Sequence, residues 1–181
     1  MQDRITAILS DYDGTLCPTH SIRNQDGTIP EELRQVLWDI SKRIPVCIIS
    51  SKDYHFLHPR TKFARILSCI MGIETVTLKT DKKERENIQS CIEESQLTLN
   101  DHKTLRANSS LLATLAERIA LSYEDVIIER KLTSDKNILA GVTFDYRHLH
   151  DWMSYKKRFE PFLNKIIHES QSSPPSYNLN L

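Results

Sequence analysis

The sequence lacks a long hydrophobic run, an excess of charge of either sign and any closely spaced pair of cysteines. No apolar segment approaches the roughly 20 residues that a membrane-spanning helix needs, and residues 1–4 lack the apolar core of a signal peptide. The 24 basic and 24 acidic residues balance, so electrostatics give no reason to expect nucleic acid or an anionic membrane as a partner. The composition therefore predicts a soluble, cytoplasmic protein.

The four cysteines, Cys17, Cys47, Cys69 and Cys91, form no Cys-x-x-Cys pair, and two of them lie in apolar stretches. This spacing argues against a zinc site or a disulfide framework and favours reduced, mostly buried thiols. With 181 residues, of which 39% are hydrophobic, the chain is long enough for one domain with a core and a modest second module.

Two short apolar segments and an intervening amphipathic segment indicate a strand–helix–strand unit near the N-terminus. Ile5–Leu9 is a short apolar, β-rich run and Pro45–Ile49 is a second one, as is typical of strands buried on both faces. Pro30 and the two acids after it favour a helix start, and apolar residues recur behind them at helical spacing. The pattern predicts an α/β fold with a parallel sheet, to which residues 66–76, interrupted at Gly72, add one or two strands.

Residues 79–147 are more charged than residues 1–78 and predict a small α+β module inserted after the parallel sheet. The expected elements are a charged helix over Lys79–Glu94, a loop over Asn100–Arg106, a helix over Ser109–Leu121 capped by Asn108 or Ser109, and two strands of an antiparallel hairpin over Asp125–Lys131 and Ile138–Tyr146. Residues 148–168 predict a helix that returns to the first part. Residues 169–181 predict a disordered tail.

The sharpest signal is Asp11-Tyr12-Asp13-Gly14-Thr15-Leu16, which directly follows the first buried strand. In open parallel sheets, ligands bind at the carboxyl ends of the strands. One carboxylate can attack phosphorus, while a second protonates the leaving oxygen and then activates water. Gly14 permits a tight turn whose amides approach phosphate oxygens, and two adjacent acids attract Mg²⁺. The competing interpretation is an acidic turn that closes a hairpin.

This segment resembles the opening motif of the haloacid dehalogenase superfamily, and most of all its sugar-phosphatase branch, which includes the trehalose-6-phosphate phosphatases. The resemblance implies a Rossmann-like core with an α+β cap. It implies that Asp11 is the nucleophile and Asp13 the general acid/base, with Mg²⁺ bound by the Asp11 carboxylate and the Asp13 backbone carbonyl. Gly14 and Thr15 would belong to the turn that binds phosphate.

Two further segments extend the resemblance. Ser50-Ser51-Lys52 follows the second buried strand, where the family has a phosphate-binding hydroxyl, and Lys52 replaces an arginine without its bidentate fork. Glu129-Arg130-Lys131 and Asp145-Tyr146-Arg147 match strand motifs of the family's cap, which implies that Glu129, Lys131 and Arg147 contact the substrate. From residue types alone, Ser50 is also a common helix cap, and the hairpin charges also fit an exposed cross-strand arrangement.

The family's third motif, a lysine, and its fourth motif, an acidic segment, have no counterpart after Arg147, where Asp151 is the only aspartate. These motifs would supply further Mg²⁺ carboxylates and the last strands of the sheet, so an open sheet edge is expected. Three explanations stay open: a shortened chain, a partner or oligomer contact that completes the site, or a fold that has lost catalysis and kept a binding role.

Other polar clusters have plainer interpretations. His148-x-His150-Asp151, beside Asp145, could hold a metal ion but favours a polar helix start. His55 and His58 could reach a substrate, although a solvated loop is the default.

Three functions follow from these signals. The first is a Mg²⁺-dependent phosphatase for a small phosphorylated sugar that resembles trehalose 6-phosphate, with a role in trehalose biosynthesis. The second is a non-enzymatic sugar-phosphate-binding or regulatory protein of the same fold. The third, a phosphoryl-accepting receiver domain, is disfavoured because receiver domains place the accepting aspartate on a later strand.

Overall fold

The computed structural model describes residues 5–18, 27–81, 88, 90–98 and 102–172. Tight 3₁₀ turns lie at His58–Arg60 and Ile70–Gly72. The helices and longer strands are, in chain order, β1 (Ile8–Asp11), α1 (Glu31–Ile40), β2 (Val46–Ile49), α2 (Tyr54–Leu57), β3 (Ile66–Cys69), β4 (Glu74–Leu78), β5 (Ile92–Leu97), α3 (His102–Ser122), β6 (Ile127–Leu132), β7 (Leu139–Asp145) and α4 (Trp152–Ser172). No helix within these ranges combines the length and apolarity needed to cross a membrane.

The first sheet has the order β1-β2-β3-β4-β5. Strands β1, β2 and β3 are parallel, whereas β4 and β5 extend the sheet in antiparallel fashion. Val46 and Ile48 of β2 are buried together with Leu37 of α1, because the apolar face of that helix covers one side of the sheet. The predicted α/β class and strand–helix–strand opening are confirmed.

The segment that leads out of the first sheet differs from its predicted structure. Residues 92–94, expected to be helical, begin β5, which pairs with β4 of the first sheet, and residues 82–87 lie outside the described part of the chain. Likewise, α3 begins at His102, so residues 102–106 are helix rather than loop, and neither Asn108 nor Ser109 is its cap. Strand pairing and packing outweigh a weak charged pattern here. Ser109 instead accepts a hydrogen bond from the Leu139 amide at 2.8 Å.

A second unit consists of α3, α4 and the antiparallel β6–β7 hairpin. Its core joins Ile119 of α3 to Phe144 of β7 and Phe159 of α4. The predicted final helix is present as α4, but its described apolar side chains pack in this cluster and not in that of the first sheet. Its aromatic stripe finds matching aromatic partners on the hairpin, which explains the difference. Because α4 runs to Ser172, residues 169–172 are helical, and residues 173–181 lie outside the described ranges.

Strand β1 lies at the edge of the first sheet, as the expected open edge requires. It pairs with β2 on one side, with Asp11 opposite Ile49. Two apolar side chains are exposed to solvent here, Leu9 of β1 by 67% and Ile5, which precedes the strand, by 71%. The acidic motif is therefore carried by an edge strand of the sheet.

Candidate active site

The acidic motif forms a tight turn directly after β1. The Leu16 and Cys17 amides both donate to the Tyr12 carbonyl at 3.0 Å, and the Gly14 amide donates to the Cys17 carbonyl at 2.8 Å. Gly14 has a φ of 82°, a backbone conformation that glycine adopts without steric cost. The turn is therefore built by its own backbone hydrogen bonds, and the hairpin interpretation of Asp-Gly does not apply.

Tyr12 anchors this turn in the core while its acidic neighbours stay accessible. Its side chain is fully buried, its hydroxyl donates to the Gly27 carbonyl, and its ring packs edge-on against Phe56 at 5.8 Å. Burial, with a smaller contribution from Cys17, raises the pKa of Tyr12 to about 12. Asp11 is exposed and receives the Thr15 hydroxyl at 3.5 Å, and Asp13 is half-buried. The anchor therefore fixes both carboxylates at the carboxyl end of β1.

Ser50, Ser51 and Lys52 lie beside this turn, because β1 and β2 are parallel and end at the same edge of the sheet. Ser50 is buried, and its hydroxyl oxygen accepts a hydrogen bond from the Lys52 amide at 3.1 Å. The cap of the following helix α2 is Asp53, whose carboxylate accepts from the Phe56 amide at 2.9 Å. Ser50 is therefore not the helix cap that its position alone could suggest.

The β6–β7 hairpin brings two predicted substrate-binding residues to this edge. Glu129 pairs with Lys52 at 2.9 Å, and Lys131 donates to the Ser51 carbonyl at 2.7 Å. Lys52 also lies 4.8 Å from the centre of the Phe56 ring, and its side chain is only 12% exposed. Burial lowers the pKa of Lys131, and the nearby positive charge of Lys52 lowers it further. The negative charge of Glu129 has the opposite effect but does not outweigh the burial. Cations from both units thus meet near the acidic turn.

Three side chains of the first unit, for which the sequence predicted no such role, contact the β6–β7 hairpin and hold it in place. Asp53 accepts from the Leu132 amide at 3.1 Å, and His55 lies 3.2 Å from the Thr133 carbonyl oxygen through Nε2. Glu74, which is 1% exposed, accepts from the Ser134 amide at 3.0 Å and from the Ser134 hydroxyl at 2.6 Å. The sequence indicated the Glu74 contact only by an acidic residue at the start of the otherwise uncharged strand β4.

Arg147 does not reach the other predicted site residues. Its guanidinium donates twice to the Asp145 carboxylate, at 3.1 and 3.0 Å. Asp145 pairs with Ile127, whereas Lys131 pairs with Gly141 farther along the hairpin. Arg147 thus follows the end of β7 that lies away from Lys131, and its contact with a substrate stays a prediction.

The histidines near the site have structural surroundings. His55 is not a solvated loop residue, since it contacts the hairpin, and His58 is buried with Nε2 3.1 Å from the Cys91 sulfur. His148 and His150 are exposed, and Asp151 accepts from the Ser154 amide at the start of α4. All four cysteines are free thiols, of which Cys17, Cys69 and Cys91 are buried.

The acidic turn offers hard oxygen donors of the kind that Mg²⁺ prefers. Asp11 and Asp13 supply two carboxylates, and the described residues contain no group of three side chains able to hold a metal ion. Mg²⁺ commonly binds through one or two carboxylates and completes its shell with water and substrate phosphate. The donor set therefore fits this ion in kind and supplies part of its coordination shell.

Substitution of Gly14 by alanine is expected to destabilise the turn by about 1–2 kcal/mol, because alanine is strained at positive φ. Gly14→Asn is the matched control, since asparagine tolerates this region better. Urea denaturation of both variants measures the difference. Equal stability of the alanine and asparagine variants would contradict the role assigned to the backbone conformation.

Two solved structures resemble the chain over more than nine tenths of its length. The C-terminal domain of C. albicans trehalose-6-phosphate phosphatase has a TM-score of 0.61 at 18% identity, with 91% of this chain and 48% of that chain covered. A trehalose-6-phosphate phosphatase related protein has a TM-score of 0.60 at 16% identity, with 92% and 62% covered. The chain thus spans between about half and three fifths of the length of these structures.

No protein-family model and no curated protein matches the sequence. The structural similarity nevertheless extends over both units. The chain therefore shares the fold of these two structures, a trehalose-6-phosphate phosphatase domain and a related protein, over the part of them that it covers.

Proposed function

We propose that the chain is a phosphoric monoester hydrolase that acts on a small phosphorylated sugar, such as trehalose 6-phosphate, with Mg²⁺ as cofactor. One observation carries the proposal. The Asp11–Asp13 turn and the Ser50–Lys52 segment share one edge of the sheet, and the hairpin brings Glu129 and Lys131 to the same edge.

In this proposal, the exposed Asp11 carboxylate attacks the substrate phosphorus and forms an aspartyl-phosphate. The Thr15 hydroxyl, 3.5 Å from Asp11, helps to fix the orientation of the attacking group. Asp13 protonates the leaving sugar oxygen and then takes a proton from the water that hydrolyses the intermediate. Mg²⁺ bound at Asp11 and the Asp13 carbonyl would neutralise charge on the phosphate oxygens.

The remaining side chains bind the two ends of the substrate. The donors for the phosphate oxygens are the hydroxyls of Ser50, Ser51 and Thr15 and the Gly14 amide. Lys52 supplies positive charge. Glu129, which pairs with Lys52, can accept hydrogen bonds from sugar hydroxyls once phosphate competes for that lysine. Lys131 is only 6% exposed, so the hairpin over the site reduces access of water and strengthens charge interactions there.

A binding protein without turnover is the second candidate. The observation that favours it is the small number of metal ligands, since the described residues supply two carboxylates at the turn and no cluster of three ligands. Such a protein would bind the sugar phosphate through the same hydroxyls and lysines. It would release no phosphate.

Release of inorganic phosphate from a panel of sugar phosphates, with and without Mg²⁺, separates these two functions. We expect turnover that depends on Mg²⁺ and prefers a sugar phosphate over a simple aryl phosphate. Binding by calorimetry without any phosphate release would favour the second candidate. Absence of both binding and turnover would refute the assignment of this edge as a sugar-phosphate site.

The buried environment of Lys131 predicts a pH dependence of stability. Because its pKa is lowered in the folded state, the unfolded chain binds more protons between that lowered pKa and the ordinary lysine value. The free energy of unfolding contributed by this residue therefore rises with pH across that alkaline interval.

Lys131→Met removes this contribution, so the stability difference between wild type and variant should change with pH between the lowered pKa of Lys131 and the ordinary lysine value of 10.5. Urea denaturation at several pH values measures it. Tyr12 has the opposite effect, because its raised pKa of about 12 lowers the free energy of unfolding above pH 10. This effect is the same in wild type and variant and cancels when their stabilities are subtracted. A difference that stays constant with pH would show that Lys131 titrates normally.

A further inference from the structure

A groove of about 380 Å³ lies between α1 and the 58–63 turn, and no candidate active-site residue lines it. This volume lies at the lower end of the range for small-molecule sites. Four cations and two aromatic residues line the groove: Arg34, Lys42, Arg60, Lys62, Trp38 and Phe63. The groove therefore offers both positive charge and flat apolar surface.

The charge of the groove contrasts with the neutrality of the chain. Glu31 is the single acid in its lining, against four cations, whereas the whole chain has a formal net charge of zero. Glu31 pairs with Arg34, and Lys42 pairs with Asp39 outside the groove. Both pairs are solvent-exposed and therefore weak, so a phosphate group can compete for these cations.

Arg60 is a fixed cation in this groove. Its guanidinium carbon lies 4.1 Å from the centre of the Phe56 ring, and Nη1 donates to the Phe56 carbonyl at 2.9 Å. Its Nε is buried without a hydrogen-bond partner in the part of the chain that the structure describes. The guanidinium is thus held in place by its contacts with Phe56, which lowers the entropic cost of binding an anion.

The aromatic residues of the groove indicate which class of phosphate ester it binds. Trp38 is half-buried on α1, and Phe63 is buried on the turn. A phosphate ion alone would leave most of the groove unfilled, and a planar ring can stack on the indole more closely than a puckered sugar ring can. We infer that the groove binds a phosphate ester that carries a planar ring, such as a nucleoside monophosphate, with its phosphate at the cations and its ring against Trp38.

The tryptophan content of the chain makes this inference directly measurable. Trp38 and Trp152 are the two tryptophans, so Trp152→Phe leaves Trp38 as the only tryptophan signal. Titration of this variant with AMP should change its tryptophan fluorescence, with half-saturation below about 1 mM. Adenosine and inorganic phosphate should each bind at least tenfold more weakly, and added salt should weaken AMP binding. No fluorescence change with AMP would overturn the inference.

Charge-removing variants locate the bound AMP. Arg34→Gln combined with Lys42→Gln should raise the half-saturation concentration at least tenfold. Arg43→Gln is the matched control, because Arg43 is an exposed cation after the same helix but does not line the groove. It should change AMP binding by less than twofold. Unchanged binding in the double variant, or equal loss in the control, would contradict binding in the groove.

A last variant separates this groove from the proposed active site. AMP binding should persist in an Asp11→Asn background and in the absence of Mg²⁺. Loss of binding in that background would place AMP at the acidic turn and overturn the inference. Because the groove shares no lining residue with that turn, absence of phosphatase activity would leave this binding result unaffected.

Discussion

Asp11→Asn should reduce phosphate release by a factor of about a thousand or more, because the neutral amide cannot attack phosphorus. Asp11 is exposed at the end of β1, and its carboxylate accepts a hydrogen bond from the Thr15 hydroxyl, so the isosteric change to asparagine leaves the fold intact. Phosphate release under saturating sugar phosphate and Mg²⁺ measures the effect. Circular dichroism and urea denaturation verify that the variant is folded.

Two control variants give this test its specificity. Asp125→Asn changes an exposed aspartate in the second unit and should retain wild-type turnover. Asp13→Asn should lose about 10²–10⁴-fold with sugar phosphates but less with p-nitrophenyl phosphate, whose leaving group needs no protonation. Retained turnover in Asp11→Asn, or equal loss with both substrates in Asp13→Asn, would refute the respective role.

Glu74→Leu should destabilise the protein by about 2–4 kcal/mol, since it leaves buried donors without an acceptor. The Glu74 carboxylate accepts from the Ser134 amide and hydroxyl and from the Ser95 hydroxyl at 2.7 Å. Leucine fills a similar volume but accepts none of these hydrogen bonds. Urea denaturation of the variant and the wild type measures the loss.

The same contact predicts an effect on substrate binding. Ser134 lies in the loop between β6 and β7, so its anchor to β4 positions Glu129 and Lys131. The variant should raise KM more than it lowers kcat. A double-mutant cycle with Ser134→Ala should recover part of the lost stability, because one unpaired hydroxyl is removed. Additive effects of the two substitutions would show that Glu74 acts through other neighbours.

The N-terminal unit was predictable because its signals are local. Ile5–Leu9 and Pro45–Ile49 are apolar runs, and Pro30 indicates a helix start that the structure places one residue later at Glu31. In contrast, β5 has the sequence Ile-Glu-Glu-Ser-Gln-Leu, which lacks a strand-like apolar pattern. Its strand conformation depends on pairing with β4, a tertiary contact that composition does not encode.

The candidate site likewise has a part that the sequence predicted and a part that it did not. The common placement of Asp11, Asp13, Ser50 and Lys52 was predictable, because each lies at or just after the end of a strand that the sequence marks. The contacts of Asp53 and Glu74 were not, because they join groups 79 and 60 residues apart in the chain. Arg147 was assigned from its order in the chain, whereas the strand register decides which end of the hairpin it occupies.

The contacts between the two units have a thermodynamic consequence for substrate entry. Four of them are hydrogen bonds or ion pairs: Lys52 with Glu129, Lys131 with Ser51, Asp53 with Leu132, and Glu74 with Ser134. Ala140 of β7 adds a small apolar contact with the core of the first sheet. Water can replace such hydrogen bonds when the hairpin lifts, and little apolar area is exposed. Opening should therefore have a small heat-capacity change and a weak dependence on urea, unlike global unfolding. The aromatic cluster of the second unit can stay packed, and the core of the first sheet loses only Ala140, while the edge that carries Asp11 becomes accessible.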